Sequence, residues 1–397
     1  MRLTKSMRLV AVMVSSTMFF AACGDSKTKA KDNGGAASAT TSVGADSSSS
    51  TVPSSDTASS PATSESSSAS TGPSSSAPVD KIKVGLVYDI AGRGDKSFND
   101  AAAAGLEKAK AELGVETKEL TPSAGGENRE ELLRQLAEGG YQFNVAVGFL
   151  FGDAMKKVAA EKKDVGFGIV DSVVDDAKAK YPNVKQLVFA EQEGSYLVGA
   201  AAALKSKTGH VGFIGGVEID LIKKFEAGFT AGAKAVKPGI KVDVKYITQP
   251  PDFGGFNDPA KGKEIAKGMY DAGADVVYAA AGGSGNGVFA AAKTASGGKT
   301  GAGQKWAIGV DSDQYNLVDK SLQPYILTSM LKRVDVAVFE AIKAYASGDK
   351  AGGVKVFDLK ADGVGYSTSG GFVDDIKDKL DGYKAKIISG DIKVPVK

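Results

Sequence analysis

Three aspartates stand directly after short apolar runs, at a position from which a side chain can bind a ligand. Asp89, Asp171 and Asp311 each end a run that is typical of a buried strand. In open α/β sheets, ligands bind beyond the carboxyl ends of the strands. Carboxylates there accept hydrogen bonds from polar groups, and such charge-assisted bonds are the stronger kind. We therefore expect the three aspartates to surround a ligand-binding cleft.

The residues from 81 onward alternate between strand and helix patterns. A helix is predicted between Ser97, which forms a variant capping box with Asp100, and Gly114. Further helices are predicted at 153–162, 195–205, 222–236, 287–295 and 334–345, and another begins at Asp258-Pro259. Strands are predicted at 81–89, 145–147, 165–171, 211–214, 242–248, 275–280, 306–311, 325–331 and 354–359. The strand at 354–359 is predicted to be the last one. This alternation predicts an α/β protein whose parallel sheets are covered by helices on both faces.

Two lobes are the natural division of this part of the chain. Residues 81–397 exceed the size that one hydrophobic core usually serves, which is about 250–300 residues. We predict two doubly wound lobes, with residues 81–190 plus about 313–347 in the first and residues 191–312 plus about 348–397 in the second. The cleft that holds the three aspartates then lies between the lobes.

The N-terminal residues predict export and a membrane anchor. Positive charges at Arg2, Lys5 and Arg8 precede a mostly apolar stretch, so residues 1–22 are predicted to be a signal peptide. The stretch is too short for a good membrane-spanning helix. The run that ends at Cys23 resembles a bacterial lipobox, which implies that Cys23 is acylated. The alternative is an ordinary signal peptide that ends near a cysteine.

Residues 23–80 are predicted to be a lipidated cysteine followed by a disordered tether. Serine, threonine, alanine, glycine and proline dominate this segment, which lacks the apolar residues needed for a core. A flexible coil of this length would span on the order of 40 Å. It would hold the folded part of the protein away from the membrane surface.

Composition excludes several function classes. The 49 basic and 47 acidic residues give a net charge of +2, without the basic excess of a nucleic-acid binder. One cysteine and one histidine leave no intrachain disulfide and little material for a catalytic triad or a zinc site. The glycine-rich segment at 282–287 has the wrong spacing for a dinucleotide-binding fingerprint. We therefore expect no metal and no cofactor.

Several segments, in order, resemble the basic membrane protein family, whose best-understood members are purine nucleoside receptors of the PnrA type. The segments include VGLVYDIAGRGDKSFN at 84–99, VGFIGGVEIDLIKKFEA at 211–227, GFNDPAKGK at 255–263, AGGSGNGVF at 281–289 and LTSMLKRVDV at 327–336. The resemblance implies a type I periplasmic-binding fold, with two doubly wound parallel-sheet lobes joined by a hinge. It also implies a lipoprotein anchor, a partner ABC permease and an ATPase.

The resemblance also implies a set of ligand-binding residues. They are Asp89, Phe98, Asn99, Asp171, Phe256, Asp311 and Lys332. In this interpretation Asp311 and Lys332 bind the ribose, acids and an amide read the base edge, and the two phenylalanines face the base. The structural alternatives are that Asp89 caps a loop, that Phe98 anchors a helix start and that Lys332 is a solvated lysine.

Together these observations predict an extracytoplasmic substrate-binding lipoprotein of an ABC importer. We expect a monomer that binds a purine nucleoside in the interlobe cleft and catalyses no reaction. Three alternatives stay open: a receptor for another polar solute such as a sugar, a surface sensor without transport, and a nucleoside hydrolase.

Overall fold

The structure is a computed structural model, and it describes residues 81–177 and 179–397. The predicted signal peptide at 1–22, Cys23 and the predicted tether at 23–80 lie outside the described residues. None of the helices in the described part is long and apolar enough to cross a membrane.

The described residues form alternating strands and helices. The strands are β1 (Lys83–Val87), β2 (Glu116–Leu120), β3 (Phe143–Ala146), β4 (Gly166–Val170), β5 (Val184–Phe189), β6 (His210–Val217), β7 (Lys241–Thr248), β8 (Val276–Ala280), β9 (Trp306–Asp311), β10 (Ile326–Lys332), β11 (Gly353–Phe357) and β12 (Val364–Tyr366). The helices are α1 (Phe98–Leu113), α2 (Arg129–Glu138), α3 (Gly152–Glu161), α4 (Glu191–Lys205), α5 (Asp220–Val236), α6 (Pro259–Asp271), α7 (Gly285–Ala295), α8 (Val334–Ala346) and α9 (Lys377–Ile388). The predicted α/β class is confirmed.

The strands belong to two six-stranded sheets with matching order. The first sheet runs β11-β5-β4-β3-β1-β2 and the second runs β12-β10-β9-β8-β6-β7. All strand pairs are parallel except β10 with β12, which is antiparallel. Strands β4 and β9 therefore occupy equivalent places in the two sheets. We call each sheet with its helices a lobe.

Helices cover both faces of each sheet, as expected for strands that are buried on both sides. On one face of the first sheet, Leu106 of α1 and Val338 of α8 pack against Val84. On the other face, Leu133 of α2 and Met155 of α3 form a separate cluster. Because both faces are covered, strands such as β3, β4, β6 and β8 are buried along their whole length.

Two strands near the C-terminus lie in a different lobe from the one that we predicted. We predicted residues 313–347 in the first lobe, but β10 pairs with β9 in the second sheet. We predicted residues 348–397 in the second lobe, but β11 pairs with β5 in the first sheet. Helix α8, which follows β10 in the same range, packs on α1 in the first lobe. Buried parallel strands of either sheet have the same apolar pattern, so the pattern does not reveal which sheet a strand joins.

The sequence patterns missed several elements. Strand β2 (ETKEL) and helix α2 (REELLRQLAE) are largely polar, and they and β5 (VKQLVF) were not predicted. The predicted last strand is followed by β12 and α9. Strand β2 lies at the edge of its sheet, where one side is open to solvent and few apolar residues are needed.

Two predicted helix caps had different outcomes. Asp258 caps α6 as predicted, since its carboxylate accepts the Lys261 N–H at 2.8 Å. The predicted capping box at Ser97 is wrong, because the Ser97 hydroxyl donates to Asp311 in the other lobe. Asp95 instead accepts the N–H groups at the start of α1, including that of Asn99 at 2.8 Å.

Candidate functional site

A cavity lies between the carboxyl ends of the two sheets, and its empty space, including the part open to solvent, is about 590 Å³. It is lined by the seven residues that the sequence singled out: Asp89, Phe98, Asn99, Asp171, Phe256, Asp311 and Lys332. Further lining residues, which sequence reasoning missed, are Ile90, Asp95, Phe149, Leu221, Ile222 and Phe225.

Asp89 lies at the end of β1 and is fixed by local hydrogen bonds. Its Oδ1 accepts the Ile90 N–H at 2.8 Å, and its own N–H donates to Asn99 Oδ1 at 2.9 Å. Gly148, at φ 108°, leaves room for the carboxylate, since a Cβ there would lie 2.3 Å from Asp89 Oδ2. Burial raises the pKa of Asp89 to about 6, and Arg129 opposes that rise.

Asp171 and Asp311 occupy equivalent positions at the ends of β4 and β9. Both adopt the left-handed backbone region, with φ values of 64° and 62°. Aspartate tolerates this region better than most residues, and residues held there are concentrated at functional sites. Burial raises the pKa of Asp311 to about 7, while Lys332 and the Ser97 hydroxyl act to lower it.

Lys332 is a buried cation at the end of β10. Its Nζ lies 2.6 Å from Asp171 Oδ2 and 3.6 Å from Glu191 Oε1. Burial acts to lower the pKa of Lys332, but Asp171, Glu191 and Asp311 together raise it above its ordinary value. The other oxygen of Asp171, Oδ1, is buried without a hydrogen-bond partner. The alternative of a solvated surface lysine is wrong, because only 2% of Lys332 is exposed.

Aromatic rings form much of the apolar wall. The Lys332 ammonium lies 5.2 Å from the centre of the Phe98 ring and 5.6 Å from that of Phe225, within cation–π range. Phe256, in the turn after β7, packs on β6, where a Cβ at Gly216 would lie 2.4 Å from the ring. The cavity thus joins flat apolar surfaces with polar ends.

The loop that leads from β1 to α1 ties the two lobes together. We call residues 95–97 the strap. The three carbonyls of the strap, those of Asp95, Lys96 and Ser97, accept hydrogen bonds from the second lobe. The donors are Asn286 Nδ2 at 3.0 Å, Gln314 Nε2 at 2.9 Å and Ser312 Oγ at 2.9 Å. The Ser97 hydroxyl adds the bond to Asp311.

A second interlobe contact joins the loops that follow β3 and β7. The chain crosses through β5, β10, β11 and β12, at one side of each sheet. Phe149 follows β3 and Phe253 follows β7, the strand farthest from that side. Their ring centres are 5.9 Å apart in an edge-to-face arrangement. This pair and the strap connect the lobes around the cavity.

The arrangement is suited to binding a polar molecule that carries hydrogen-bond donors and a flat apolar surface. Carboxylates supply most of the acceptors, Lys332 supplies donors, and the rings supply flat surface. Among residues 81–177 and 179–397, no group of three or more histidine, cysteine, aspartate or glutamate side chains is placed to hold a metal ion.

Two further charged residues, which contact lining residues of the cavity, also escaped the sequence analysis. Glu191 is buried at the start of α4 and contacts both Lys332 and Lys224. Arg129 opens α2, a helix that was not predicted, and its guanidinium lies beside Asp89. A glutamate or arginine at a helix start is common on protein surfaces, so no residue pattern pointed to either of them.

Comparison with known proteins agrees with this geometry. A family described as ABC transporter substrate-binding protein PnrA-like matches residues 81–397. The ABC transporter nucleoside-binding protein BmpA of Lactococcus lactis is 38% identical over 325 residues, which cover 80% of this chain and 90% of BmpA. A CD4+ T-cell-stimulating antigen of Listeria monocytogenes is 40% identical, covering 79% of this chain and 88% of the antigen.

A solved structure confirms the predicted type I periplasmic-binding fold. The solute-binding protein of an ABC transporter system from Aeropyrum pernix superposes with a TM-score of 0.68 at 30% identity. The match covers 80% of this chain and 94% of that protein. The chain therefore belongs to the PnrA-like family of ABC transporter substrate-binding proteins.

Proposed function

We propose that this protein is an extracytoplasmic lipoprotein that binds a purine nucleoside in the interlobe cavity and delivers it to an ABC importer. The observation that carries the proposal is the presence, in one cavity, of aromatic rings together with carboxylates that retain unused acceptor capacity. A nucleoside is neutral, has a flat base and carries two neighbouring hydroxyl groups. The relationship to a nucleoside-binding protein supports the same ligand class.

The base would lie between Phe98 and Phe256. Stacking of a base on an aromatic ring contributes about 1–3 kcal/mol. Asp89 and Asn99 would face the base edge, with Asp89 accepting hydrogen bonds from base N–H groups. Asn99 is held by Asp95 and by the Asp89 N–H, so its position is fixed before the ligand arrives.

The ribose would lie toward the acids that end β4 and β9. Asp171 Oδ1 is buried and lacks a partner, which is costly unless a ligand hydroxyl supplies one. Asp311 offers its other oxygen beside the one that accepts from Ser97. Lys332 carries three donors and uses one of them on Asp171, so it retains donors for a ribose oxygen.

Export and anchoring follow from the N-terminal residues. An uncharacterized lipoprotein of Pyrococcus abyssi is 37% identical over 290 residues, which supports acylation of Cys23 and an extracytoplasmic position. A Cys23→Ser variant should be released from the membrane fraction, and it should lose incorporation of labelled palmitate. Retention of Cys23→Ser in the membrane would contradict the anchor.

Loading would close the lobes, and a permease with its ATPase would recognise the closed form. A ligand shifts an open–closed equilibrium only by binding one state better, and a ligand between Asp89 and Asp311 contacts both lobes. The protein would act as a monomer.

Calorimetric titration tests the ligand class directly. We expect binding of inosine, guanosine or adenosine, and no binding of ribose or arabinose alone. Binding of pentoses without nucleosides would indicate a sugar receptor, and binding of none of these ligands would contradict the proposal. Release of free base during the incubation, measured by chromatography, would indicate a hydrolase instead.

A matched pair of variants separates the site from its surroundings. Asp311→Asn should weaken nucleoside binding about 10- to 100-fold, because a charged acceptor becomes an amide. Asp313→Asn is the control, since Asp313 lies two residues later and binds Ser367 and Ser369 instead of lining the cavity. Equal effects of the two substitutions would argue against a direct role of Asp311.

A further inference from the structure

Arg129 lies beside Asp89, a residue that lines the cavity. Its Nη2 is 3.6 Å from Asp89 Oδ1, and both side chains are 12% exposed. Arg129 itself is not one of the cavity-lining residues. Asp89 therefore lines the cavity and also contacts a guanidinium that does not line it.

The surroundings hold the Arg129 guanidinium in place. Its Nη1 donates to the Gly126 carbonyl at 3.0 Å, and its Cζ lies 5.6 Å from the centre of the Phe151 ring. Gly126, at φ 72°, makes room for it, because a Cβ at that position would lie 2.0 Å from Nη1. The guanidinium of a surface arginine is normally solvated, so this confinement points to a specific role.

Two of the Arg129 donors have no acceptor. Nε and Nη2 are both buried and make no hydrogen bond. A buried donor without a hydrogen-bond partner costs free energy. The contact with the Phe151 ring does not offset this cost. The charge of Arg129 nevertheless acts on Asp89, because the interaction between charges is strong in a site that excludes water.

The two cations near the cavity, Lys332 and Arg129, lie beside different acids. Lys332 faces Asp171, Glu191 and Asp311. The charged groups that act on Asp89 are Arg129, which favours its ionised form, and Asp171, which disfavours it. Asp95, in the strap, shares the Asn99 amide and lies in the same cavity wall.

We propose that Arg129 is a positioning residue for ligand binding, which keeps Asp89 ionised and oriented so that Asp89 can accept hydrogen bonds from the ligand. The inference rests on the proposed function, because it assigns Asp89 the task of reading N–H groups on the base edge. An ionised carboxylate only accepts hydrogen bonds, whereas a protonated one also donates. Arg129 thereby selects ligand edges that carry donors, without touching the ligand.

The test is the pH dependence of inosine binding by Arg129→Met. Burial raises the pKa of Asp89 to about 6 in the unchanged protein, so Asp89 is about nine-tenths ionised at pH 7. Loss of an opposite charge raises a carboxyl pKa by about 1–3 units. A rise of about two units leaves roughly a tenth of Asp89 ionised at pH 7, and binding should weaken about tenfold. At pH 9 the two proteins should bind almost equally.

The ratio of the two dissociation constants at each pH is the quantity to measure, because ionisation of the ligand and of other groups cancels in it. A purely structural role of Arg129 would weaken binding by the same factor at pH 7 and pH 9, and that result would overturn the proposal. Arg129→Lys keeps the positive charge and should restore most of the binding at pH 7. Arg134→Met, on the same helix but paired with Glu130 and Glu161, should leave the ratio at one.

A second measurement needs no ligand. Carbon NMR of the labelled Asp89 carboxyl should give a higher pKa in Arg129→Met than in the unchanged protein. An unchanged pKa would overturn the role of Arg129. Failure of the unchanged protein to bind any nucleoside, with the Asp89 pKa raised in Arg129→Met, would instead overturn the proposed ligand and leave the action of Arg129 on Asp89 standing.

Discussion

Replacement of Lys332 by methionine should destabilise the protein strongly. Lys332 is 2% exposed, and its ammonium lies 2.6 Å from Asp171 and 3.6 Å from Glu191, which are themselves 5% and 1% exposed. Methionine has a similar length but no charge, so the substitution removes the cation and creates little empty space. The buried acids around it, Asp171, Glu191 and Asp311, then lack their shared counter-ion.

The expected magnitude follows from this uncompensated charge. Removal of one partner from a buried ion pair costs about 3–5 kcal/mol. Burial raises the pKa values of Glu191 and Asp311, and Lys332 opposes both rises, so both values climb further in the variant. A carboxyl whose pKa is higher in the folded state than in the unfolded state destabilises the protein less as the pH falls. The loss should therefore shrink by about 1.4 kcal/mol per pH unit for each additional proton bound.

Guanidinium unfolding followed by the fluorescence of Trp306, the single tryptophan, measures the effect. We expect a loss of about 4 kcal/mol at pH 7.5 that falls to about 2 kcal/mol at pH 6. Lys157→Met, which removes a surface contact with Glu130, is the control and should change little at either pH. An equal loss at both pH values would refute the electrostatic reasoning, since lost packing does not depend on pH.

Three further predictions concern the cavity and its surroundings. Phe253→Ala removes the edge-to-face contact with Phe149, so ligand release in stopped-flow experiments should accelerate about 2- to 12-fold, and an unchanged rate would contradict a role in closure. Gly148→Ala places a Cβ 2.3 Å from Asp89 Oδ2, so calorimetry should give at least tenfold weaker binding, and wild-type affinity would show that the close approach is unimportant. Burial raises the pKa of Asp89 to about 6 and of Asp311 to about 7, so the ligand-free protein binds more protons folded than unfolded. Together these two groups should lower its stability by about 6 kcal/mol as the pH rises from 4 to 7, and urea titrations that show no such fall would contradict this.

The alternation of apolar runs and helical faces was enough to predict most of the architecture. The runs before Asp89, Asp171 and Asp311 identify buried strands, and their shared position at strand ends predicts one cavity. Such patterns depend on local burial, which the residue types record directly. Polar edge elements such as β2 have few buried apolar residues, so their apolar pattern is much weaker.

Long-range partners were not predictable from the same patterns. The capping box expected at Ser97 follows from local spacing, but its hydroxyl bonds to Asp311, more than two hundred residues later. The ammonium of Lys332 pairs with Asp171 from the first lobe, and nothing near either residue in the sequence indicates this. Arg129 reaches Asp89 only because α2 packs beside β1. These contacts depend on how the two sheets face each other, and that is set by the whole chain.

The strap separates the strength of closure from the recognition of the ligand. It contributes main-chain carbonyls, which every residue carries, while the groups that bind them are the side chains of Asn286, Ser312 and Gln314. None of these three side chains lines the cavity. Apparent affinity scales with the fraction of molecules in the binding-competent state. Substitutions at these three positions would therefore change the affinity for every ligand by the same factor. The order of preference among ligands would stay as it was.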